Sequence, residues 1–196
     1  MMVIGVGCAP GLVTVQAMKA IRNAKRLAGS HRALELVAEY ISEGCEVTYL
    51  TAFAHLGSLP EGTVLLSTGD PMLAGLGCTV PDAQVLPGIS SMQLASARLG
   101  IPEERLSVVS AHGRPDQASA IERSVEEVER GRAVFLVADP GFSVDRLAAV
   151  LMAKGIDCRI ALCEALGYPE ERIVFGDPSH PPSPRGQMFV VVVGRW

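Results

Sequence analysis

The chain has 196 residues, of which 48% are hydrophobic, and this length and composition support a buried core without metals or disulfides. Its formal net charge of −4 at pH 7 argues against binding to duplex nucleic acid, which favours a basic surface. The five cysteines never form Cys-x-x-Cys, so we expect a cytoplasmic protein with reduced thiols and no metal site. No apolar run approaches the ~18–20 residues of a membrane span, so we expect no membrane contact.

Strands and helices alternate over roughly the first 105 residues, a pattern that predicts a parallel sheet. The segments predicted as strands are MVIGVG, KRLAGS, CEVTYL, TVLLSTG and AQVL. We expect helices over residues 13–24, 31–44 and 90–99. The second of these has the spacing of an amphipathic helix at Leu34, Val37, Ala38 and Ile41.

A new series of strands begins at LSVVSAHG, which predicts two domains, residues 1–104 and residues 105–196. In the second domain, LSVVSAHG and AVFLVAD are predicted strands. The helices expected there are QASAIERSVEEVERG and SVDRLAAVLMAKG, the latter with Ser143 as N-cap and Gly155 as stop. The last strands, CRIALCEAL, ERIVFG and MFVVVVG, have no helix between them, which indicates hairpin-like connections and a mixed sheet. The predicted fold class is therefore α/β.

The segment GVGCAPG, residues 5–11, lies between the first strand and the first helix, where dinucleotide-binding proteins have Gly-x-Gly-x-x-Gly. Pro10 occupies the position of the third glycine and has no N–H to offer a pyrophosphate. The next predicted strand also ends without the acidic residue that binds a ribose. These differences argue against a nicotinamide oxidoreductase. They leave open whether the loop is only a tight turn or lines the site of another cofactor.

Two further loops, GDP at residues 69–71 and PGIS at residues 87–90, also follow predicted strands. Ligands of open parallel sheets lie beyond the carboxyl ends of the strands. Asp70 either caps the following turn or lines such a site. Ser90 and Gln93 have capping-box spacing, and the N–H groups at that helix start can also receive a carboxylate. Three loops of this kind in one small domain predict a single rim around a single ligand.

Five segments taken in order resemble the tetrapyrrole methylase family: GVGCAPG, LLSTGDP, PGISSMQLASARLG, VVSAHGR and EALGYPEERIVFG. The likeness extends over nearly the whole chain, and SAHGR with LGYPEERI is most similar to members that methylate C5 of cobalt-precorrin-7 in cobalamin synthesis. The resemblance implies two α/β domains with S-adenosylmethionine in the cleft between them, a corrinoid substrate and a homodimer. Since the chain lacks a second methyltransferase module, methylation at C15 and the accompanying decarboxylation would belong to another enzyme.

The resemblance also implies the residues of the site. The cofactor contacts carried over from the family motifs are Gly69, Asp70, Leu73, Ser90 and Ser91 in the first domain and Ala138 and Leu166 in the second. The carboxylates of the substrate call for basic residues, and we expect His112 and Arg114 to bind them, with His112 also the catalytic residue. Alternatively, His112 is a loop histidine held by hydrogen bonds.

Two positions depart from the family pattern. Relatives usually have Gly-x-Gly-Pro-Gly in the first loop, where this chain has Gly7-Cys8-Ala9-Pro10-Gly11. They also have Thr-Asp where it has Ala138-Asp139. Other interpretations are a family member that acts on uroporphyrinogen, another precorrin, a translation-factor histidine derivative or ribosomal RNA, and a non-catalytic module that binds S-adenosylmethionine. Turnover separates an enzyme from a binding module.

Overall fold

The structure, a computed structural model, describes residues 1–51, 56–113 and 116–196. The chain divides into two compact units, Met1–Ser91 and Met92–Trp196, and each contains one five-stranded sheet. This division groups the helix that follows Ser91 with the second unit, whereas the predicted domains group it with the first. The boundary after residue 104 stays a prediction.

The sheet of the first unit is entirely parallel, with the strand order β3-β2-β4-β1-β5. Its strands are β1 (Met2–Gly5), β2 (Arg26–Gly29), β3 (Glu46–Tyr49), β4 (Val64–Ser67) and β5 (Gln84–Leu86). Its helices are α1 (Val15–Arg22) and α2 (His31–Glu35), with short 3-10 turns at Ala38–Tyr40, Leu56–Ser58 and Leu76–Cys78. Adjacent residues of a strand face opposite sides, so the sheet is covered by two apolar clusters, one containing Ile4 and Leu66 and the other Val3 and Leu65.

The helix predicted over residues 31–44 is wrong in its length. Helix α2 ends at Glu35, because the backbone tightens at Val37 into hydrogen bonds between residues three apart. The Val37 N–H donates to the carbonyl of Leu34 at 3.2 Å, and the Tyr40 N–H donates to that of Val37 at 2.8 Å. Leu34 and Val37 are buried as the spacing indicated, whereas Ala38 is exposed.

The second unit has a mixed sheet with the order β6-β7-β10-β8-β9. Its strands are β6 (Leu106–Ser110), β7 (Ala133–Val137), β8 (Arg159–Glu164), β9 (Arg172–Gly176) and β10 (Phe189–Gly194). Its helices are α3 (Ser91–Leu99), which begins at the last residue of the first unit, α4 (Ala118–Glu129) and α5 (Val144–Ala153), with a 3-10 turn at Glu103–Arg105. Strands β6 and β7 are parallel, and the other pairs are antiparallel.

The connections of the last three strands were only partly predicted. Strands β8 and β9 form an antiparallel hairpin, as expected. Strand β10, however, pairs with β7 and β8 and does not lie beside β9. Every residue of β10 is buried, and its valine-rich sequence therefore suits a central strand, whereas the partly exposed β9 lies at the edge.

The helices of the second unit confirm the predicted pattern. Ser143 caps α5, since its hydroxyl accepts the backbone N–H of Arg146 at 3.2 Å, and Gly155 follows the helix with φ of +67°. The buried face of α4 includes Ile121, Val125 and Val128. Within the described ranges, no helix has both the length and the apolar character that a bilayer crossing requires.

The cysteine side chains differ in burial, and this difference predicts how fast each thiol reacts with an alkylating reagent. Burial raises the pKa of Cys158 to about 11 and that of Cys163 to about 12, whereas Cys78 is exposed. Because the thiolate is the reactive form, we expect iodoacetamide at pH 8 to modify Cys78 on the order of 100-fold faster than the two buried thiols. Peptide mass spectrometry over a time course measures this, with urea-unfolded protein as the control. Labelling of Cys163 as fast as Cys78 in folded protein would contradict the described core.

Candidate functional site

The carboxyl ends of β4, β1 and β5 lie side by side, because β1 pairs with both of the other strands. The loops that follow these strands are joined by backbone hydrogen bonds. The Gly69 N–H donates to the carbonyl of Gly7 at 2.8 Å, and the Cys8 N–H donates to that of Ile89 at 3.0 Å. The structure therefore brings the three predicted loops together, and we call residues 5–11, 69–73 and 87–91 the first-unit rim.

The three loops approach one another so closely that only glycine fits at two positions, Gly5 and Gly88. A Cβ atom on Gly88 would lie 2.3 Å from the carbonyl oxygen of Gly69, and one on Gly5 would lie 2.5 Å from the Gly88 nitrogen. Gly69 itself has φ of +70°, in the left-handed region that favours glycine. The predicted site residue Gly69 thus shapes the rim through its backbone.

The Asp70 carboxylate links two loops of the rim. Its Oδ2 accepts the backbone N–H of Gly88 at 3.1 Å, and its Oδ1 accepts that of Met72 at 2.8 Å. The second bond closes an Asx turn. The residues after Asp70 form turns rather than an α-helix, so the carboxylate caps a turn, as one interpretation held, and also fixes the β4 loop against the β5 loop.

The other predicted residues of the first unit lie on the same rim. Leu73 is half-buried, and its N–H donates to the carbonyl of Asp70 at 3.1 Å. Ser90 is 3% exposed, and Ser91 is half-buried at the first position of α3. The rim therefore combines backbone groups, two hydroxyls, one carboxylate and an aliphatic side chain.

The glycine-rich loop differs from a dinucleotide-binding turn. Helix α1 begins only at Val15, after the N-cap Thr14, so its N-terminus does not directly follow the glycines. A Cβ on Gly7 would lie 2.6 Å from the carbonyl oxygen of Leu12, because the loop folds back on itself. The guanidinium of Arg32 donates to the carbonyl of Cys8 at 2.6 Å and holds the loop in this shape. This geometry also argues against a nicotinamide site.

The described site residues of the second unit lie beyond the carboxyl ends of three of its strands. Strands β6, β7 and β8 run in the same direction, since β6 is parallel to β7 and β10 is antiparallel to both β7 and β8. His112 follows β6, Ala138 follows β7 and Leu166 follows β8. Leu166 is buried and Ala138 is half-buried, whereas the His112 side chain is 58% exposed. Arg114 lies outside the described residues.

His112 contacts a carboxylate that the sequence did not single out as a site residue. Its Nδ1 lies 2.5 Å from Oδ1 of Asp139, and Oδ2 of Asp139 accepts the backbone N–H of Gly113 at 2.8 Å. His112 is therefore a hydrogen-bonded loop histidine, as one interpretation held, and it is also open to solvent. The signal for Asp139 was its place as the last residue of the predicted strand AVFLVAD, at the carboxyl end where ligands of α/β sheets bind.

Comparison with known proteins shows which family has this architecture. The family described as Tetrapyrrole (Corrin/Porphyrin) Methylases matches residues 1–180. The chain belongs to the tetrapyrrole methylase family. This methylase is 31% identical over 187 residues to the cobalt-precorrin-7 C(5)-methyltransferase of Salmonella typhimurium, with 87% of each chain covered. The resemblance predicted from the motifs is thereby confirmed.

Two further relatives extend the comparison. A solved structure, the cobalamin biosynthesis precorrin-6Y methylase from Archaeoglobus fulgidus, has a TM-score of 0.78 and 28% identity, covering 100% of this methylase and 98% of that chain. The precorrin-6Y C(5,15)-methyltransferase (decarboxylating) of a Sinorhizobium species is 30% identical over 172 residues, but only 40% of its length is covered. The predicted α/β fold, with a parallel and a mixed sheet, is confirmed by the structure and these neighbours.

Glu164, next to the predicted Leu166, has a structural role in this methylase. It pairs with Arg172, and its Oε1 accepts the backbone N–H groups of Arg185 at 2.6 Å and Gly186 at 2.9 Å. Burial alone would raise the pKa of the carboxyl, but these three donors outweigh burial and lower it. The side chain therefore anchors the loop before β10 as an ionised group.

The rim of this methylase fits the chemistry of S-adenosylmethionine. The donor carries hydroxyls, an ammonium, a carboxylate and an apolar adenine face, and the rim offers hydrogen-bonding groups beside an aliphatic side chain. A Cβ on Gly69 would make ordinary van der Waals contacts with Cys8 Cβ at 3.8 Å and Ser90 Cα at 3.9 Å, so glycine is favoured there by its φ of +70° rather than by crowding.

Proposed function

We propose that this chain is an S-adenosylmethionine-dependent methyltransferase that methylates C5 of a precorrin-7-type macrocycle, with or without cobalt, in cobalamin biosynthesis. The observation that carries the proposal is the 31% identity, over 87% of both chains, to a C(5)-methyltransferase. The three interlocked loops of the first-unit rim support it. The match to the Sinorhizobium enzyme named for both C5 and C15 also supports a precorrin-type substrate.

The donor site is proposed from the family motifs and from the fit of the rim. The residues assigned to it are Gly69, Asp70, Leu73, Ser90 and Ser91 of the first unit and Ala138 and Leu166 of the second. When bound, S-adenosylmethionine supplies an electrophilic methyl group. The contribution of the protein is positioning, since near-attack geometry can account for about 7–11 kcal/mol of the barrier.

The acceptor side is assigned to His112 and Arg114. The macrocycle carries carboxylates, and Arg114 is proposed to bind one of them through a bidentate contact. The exposed His112 is proposed to contact the substrate and to accept the proton that the macrocycle loses on methylation. The active form is proposed to be a homodimer.

The experiment that tests the donor site is isothermal titration with S-adenosylhomocysteine, with NADH as the control ligand. We expect micromolar binding of S-adenosylhomocysteine and no measurable binding of NADH. Asp70→Asn should weaken binding about tenfold, a loss of about 1.4 kcal/mol, because the amide nitrogen replaces one of two acceptors, either the one that joins the β4 and β5 loops or the one that closes the Asx turn.

A matched control is available in the same unit. Asp82→Asn also removes one carboxylate, but Asp82 precedes β5 and so lies at the opposite end of the strands from the rim. It is exposed and has φ of 55°, which asparagine tolerates, so affinity should stay unchanged. Absence of S-adenosylhomocysteine binding to the unmodified protein, or a preference for NADH, would overturn the proposed function.

A further inference from the structure

We infer that Asp139 is a positioning residue that holds His112 in the tautomer needed to accept a proton. The inference rests on the proposed function in one respect, namely that His112 handles the proton lost by the substrate. Asp139 lies one residue beyond the family-derived contact Ala138, just past the carboxyl end of β7. Asp139 contacts both the His112 ring and the backbone of the neighbouring Gly113. These contacts distinguish it from the other described carboxylates near histidines.

The contacts of the carboxylate determine where the ring proton lies. An ionised carboxylate only accepts hydrogen bonds, so the His112 Nδ1 at 2.5 Å from Oδ1 must carry the hydrogen. The neutral ring then keeps its lone pair on Nε2. The second carboxylate oxygen accepts the Gly113 N–H at 2.8 Å, which ties the carboxylate to the backbone next to the histidine. Ring orientation and tautomer are therefore specified together.

The loop that carries Asp139 is itself held against the β6–α4 connection. Gln117, directly before α4, donates to the carbonyl of Gly141 at 2.8 Å and accepts the N–H of Ser143 at 3.2 Å. Within the same loop, the carbonyl of Asp139 accepts the N–H of Phe142 at 2.8 Å. These hydrogen bonds hold the loop that carries Asp139 in place beside His112.

This arrangement suits the proton balance of the proposed reaction. A carbon of the macrocycle forms a new bond to the methyl group with a pair of its own electrons, while the bond from the methyl group to sulfur breaks and its electron pair stays on the sulfur of S-adenosylhomocysteine. The macrocycle gains a positive charge and must then lose one proton to regain its original charge. Nε2 of His112 accepts that proton, while the electron pair of the broken bond to hydrogen stays with the macrocycle. The Asp139 carboxylate remains ionised and stabilises the imidazolium.

A second histidine–aspartate pair in the same unit provides the comparison. His180 Nδ1 lies 3.5 Å from Oδ1 of Asp177, and the His180 side chain is 87% exposed. The same Asp177 oxygen also accepts the backbone N–H groups of Ser179 and His180. Asp177 is thus committed to the turn and contacts the ring only loosely, so Asp177→Asn is a matched control.

The first test is the tautomer of His112, measured by long-range ¹H–¹⁵N correlation NMR with the His112→Asn protein to assign the signals. We expect the Nδ1–H form in the unmodified protein. In Asp139→Asn, the amide oxygen is the single acceptor for two donors, the Gly113 N–H and the His112 Nδ1–H. We expect the oxygen to accept the Gly113 N–H, so that the amide N–H groups face Nδ1. Nδ1 must then accept a hydrogen bond, which shifts His112 to the Nε2–H form. Asp177→Asn should leave the His112 signals unchanged. An unaltered His112 tautomer in Asp139→Asn would overturn the inference.

The second test is the rate of methyl transfer to the corrinoid. Asp139→Asn should lower kcat on the order of 100-fold with the KM for S-adenosylmethionine within about twofold, and Asp139→Glu should recover part of kcat. In a His112→Asn background, Asp139→Asn should cause no further loss. Equal losses in both backgrounds would mean that Asp139 supports only the loop. Absence of turnover in the unmodified protein would contradict the proposed function, while the NMR result would still decide the positioning contact.

Discussion

Gly88→Ala is expected to lower the free energy of unfolding by about 3 kcal/mol or more and to abolish binding of S-adenosylhomocysteine. The new Cβ would lie 2.3 Å from the Gly69 carbonyl oxygen and 2.8 Å from the carbonyl carbon of Gly5. Both atoms belong to the backbone of neighbouring loops, so relief requires moving the loops apart. This movement would also separate Gly88 from Asp70, whose carboxylate accepts the Gly88 N–H.

Urea unfolding followed by far-ultraviolet circular dichroism measures the loss, and titration calorimetry measures binding. Gly57→Ala is the control in the same unit. Among the described residues, apart from its two chain neighbours, a Cβ at Gly57 would meet no atom within 4 Å, and its φ lies outside the left-handed region. It should change stability by less than about 0.5 kcal/mol. A Gly88→Ala protein with unchanged stability and affinity would contradict the close packing of the rim.

The second large effect is expected at Glu164, which is 6% exposed. Glu164→Gln removes the charge that pairs with Arg172 and one of the acceptors for the loop before β10, and it should destabilise the protein at pH 7 by about 2–4 kcal/mol. The exposed Glu170→Gln is the matched control and should be nearly neutral. Urea unfolding of the three proteins at one temperature gives the comparison.

The same carboxyl predicts a dependence of stability on pH. Because folding lowers the pKa of Glu164, its stabilising contribution is fully present above the pKa of the unfolded chain, near 4.5, and is lost as the pH falls through the lower folded value. The unmodified protein should therefore lose stability more steeply than Glu164→Gln as the pH falls below 4.5. Parallel curves for the two proteins would contradict the ionised anchor.

Much of the fold could be predicted from the sequence, because buried parallel strands are short apolar runs that end at glycines. The length of α2 was missed, since the spacing of Leu34 and Val37 suits a helix and a 3-10 turn equally well. The position of β10 was missed as well. Its valines predict a buried strand but do not specify its neighbours, which depend on the pairing of segments far apart in the chain.

The candidate site could also be predicted only in part, because the sequence indicates which loops meet but not which residues in them make contact. Loops after parallel strands were expected to meet, and those of β1, β4 and β5 do. The partners of individual carboxylates were not predictable, because the contact of Asp70 with Gly88 requires that β1 lie between β4 and β5. The contact of Asp139 with His112 likewise requires β6 and β7 to be neighbours, and the helical connection between them does not specify that pairing.

The central claim is tested most directly by incubating the purified protein with cobalt-precorrin-7 and S-adenosylmethionine labelled with ¹³C in its methyl group. We expect mass spectrometry to show the addition of one labelled methyl group, matched by an equal amount of S-adenosylhomocysteine, and NMR to locate the label on C5. No carbon dioxide should be released. Binding of the donor without transfer would identify a non-catalytic module, and a label on another carbon would contradict the proposed C5 specificity.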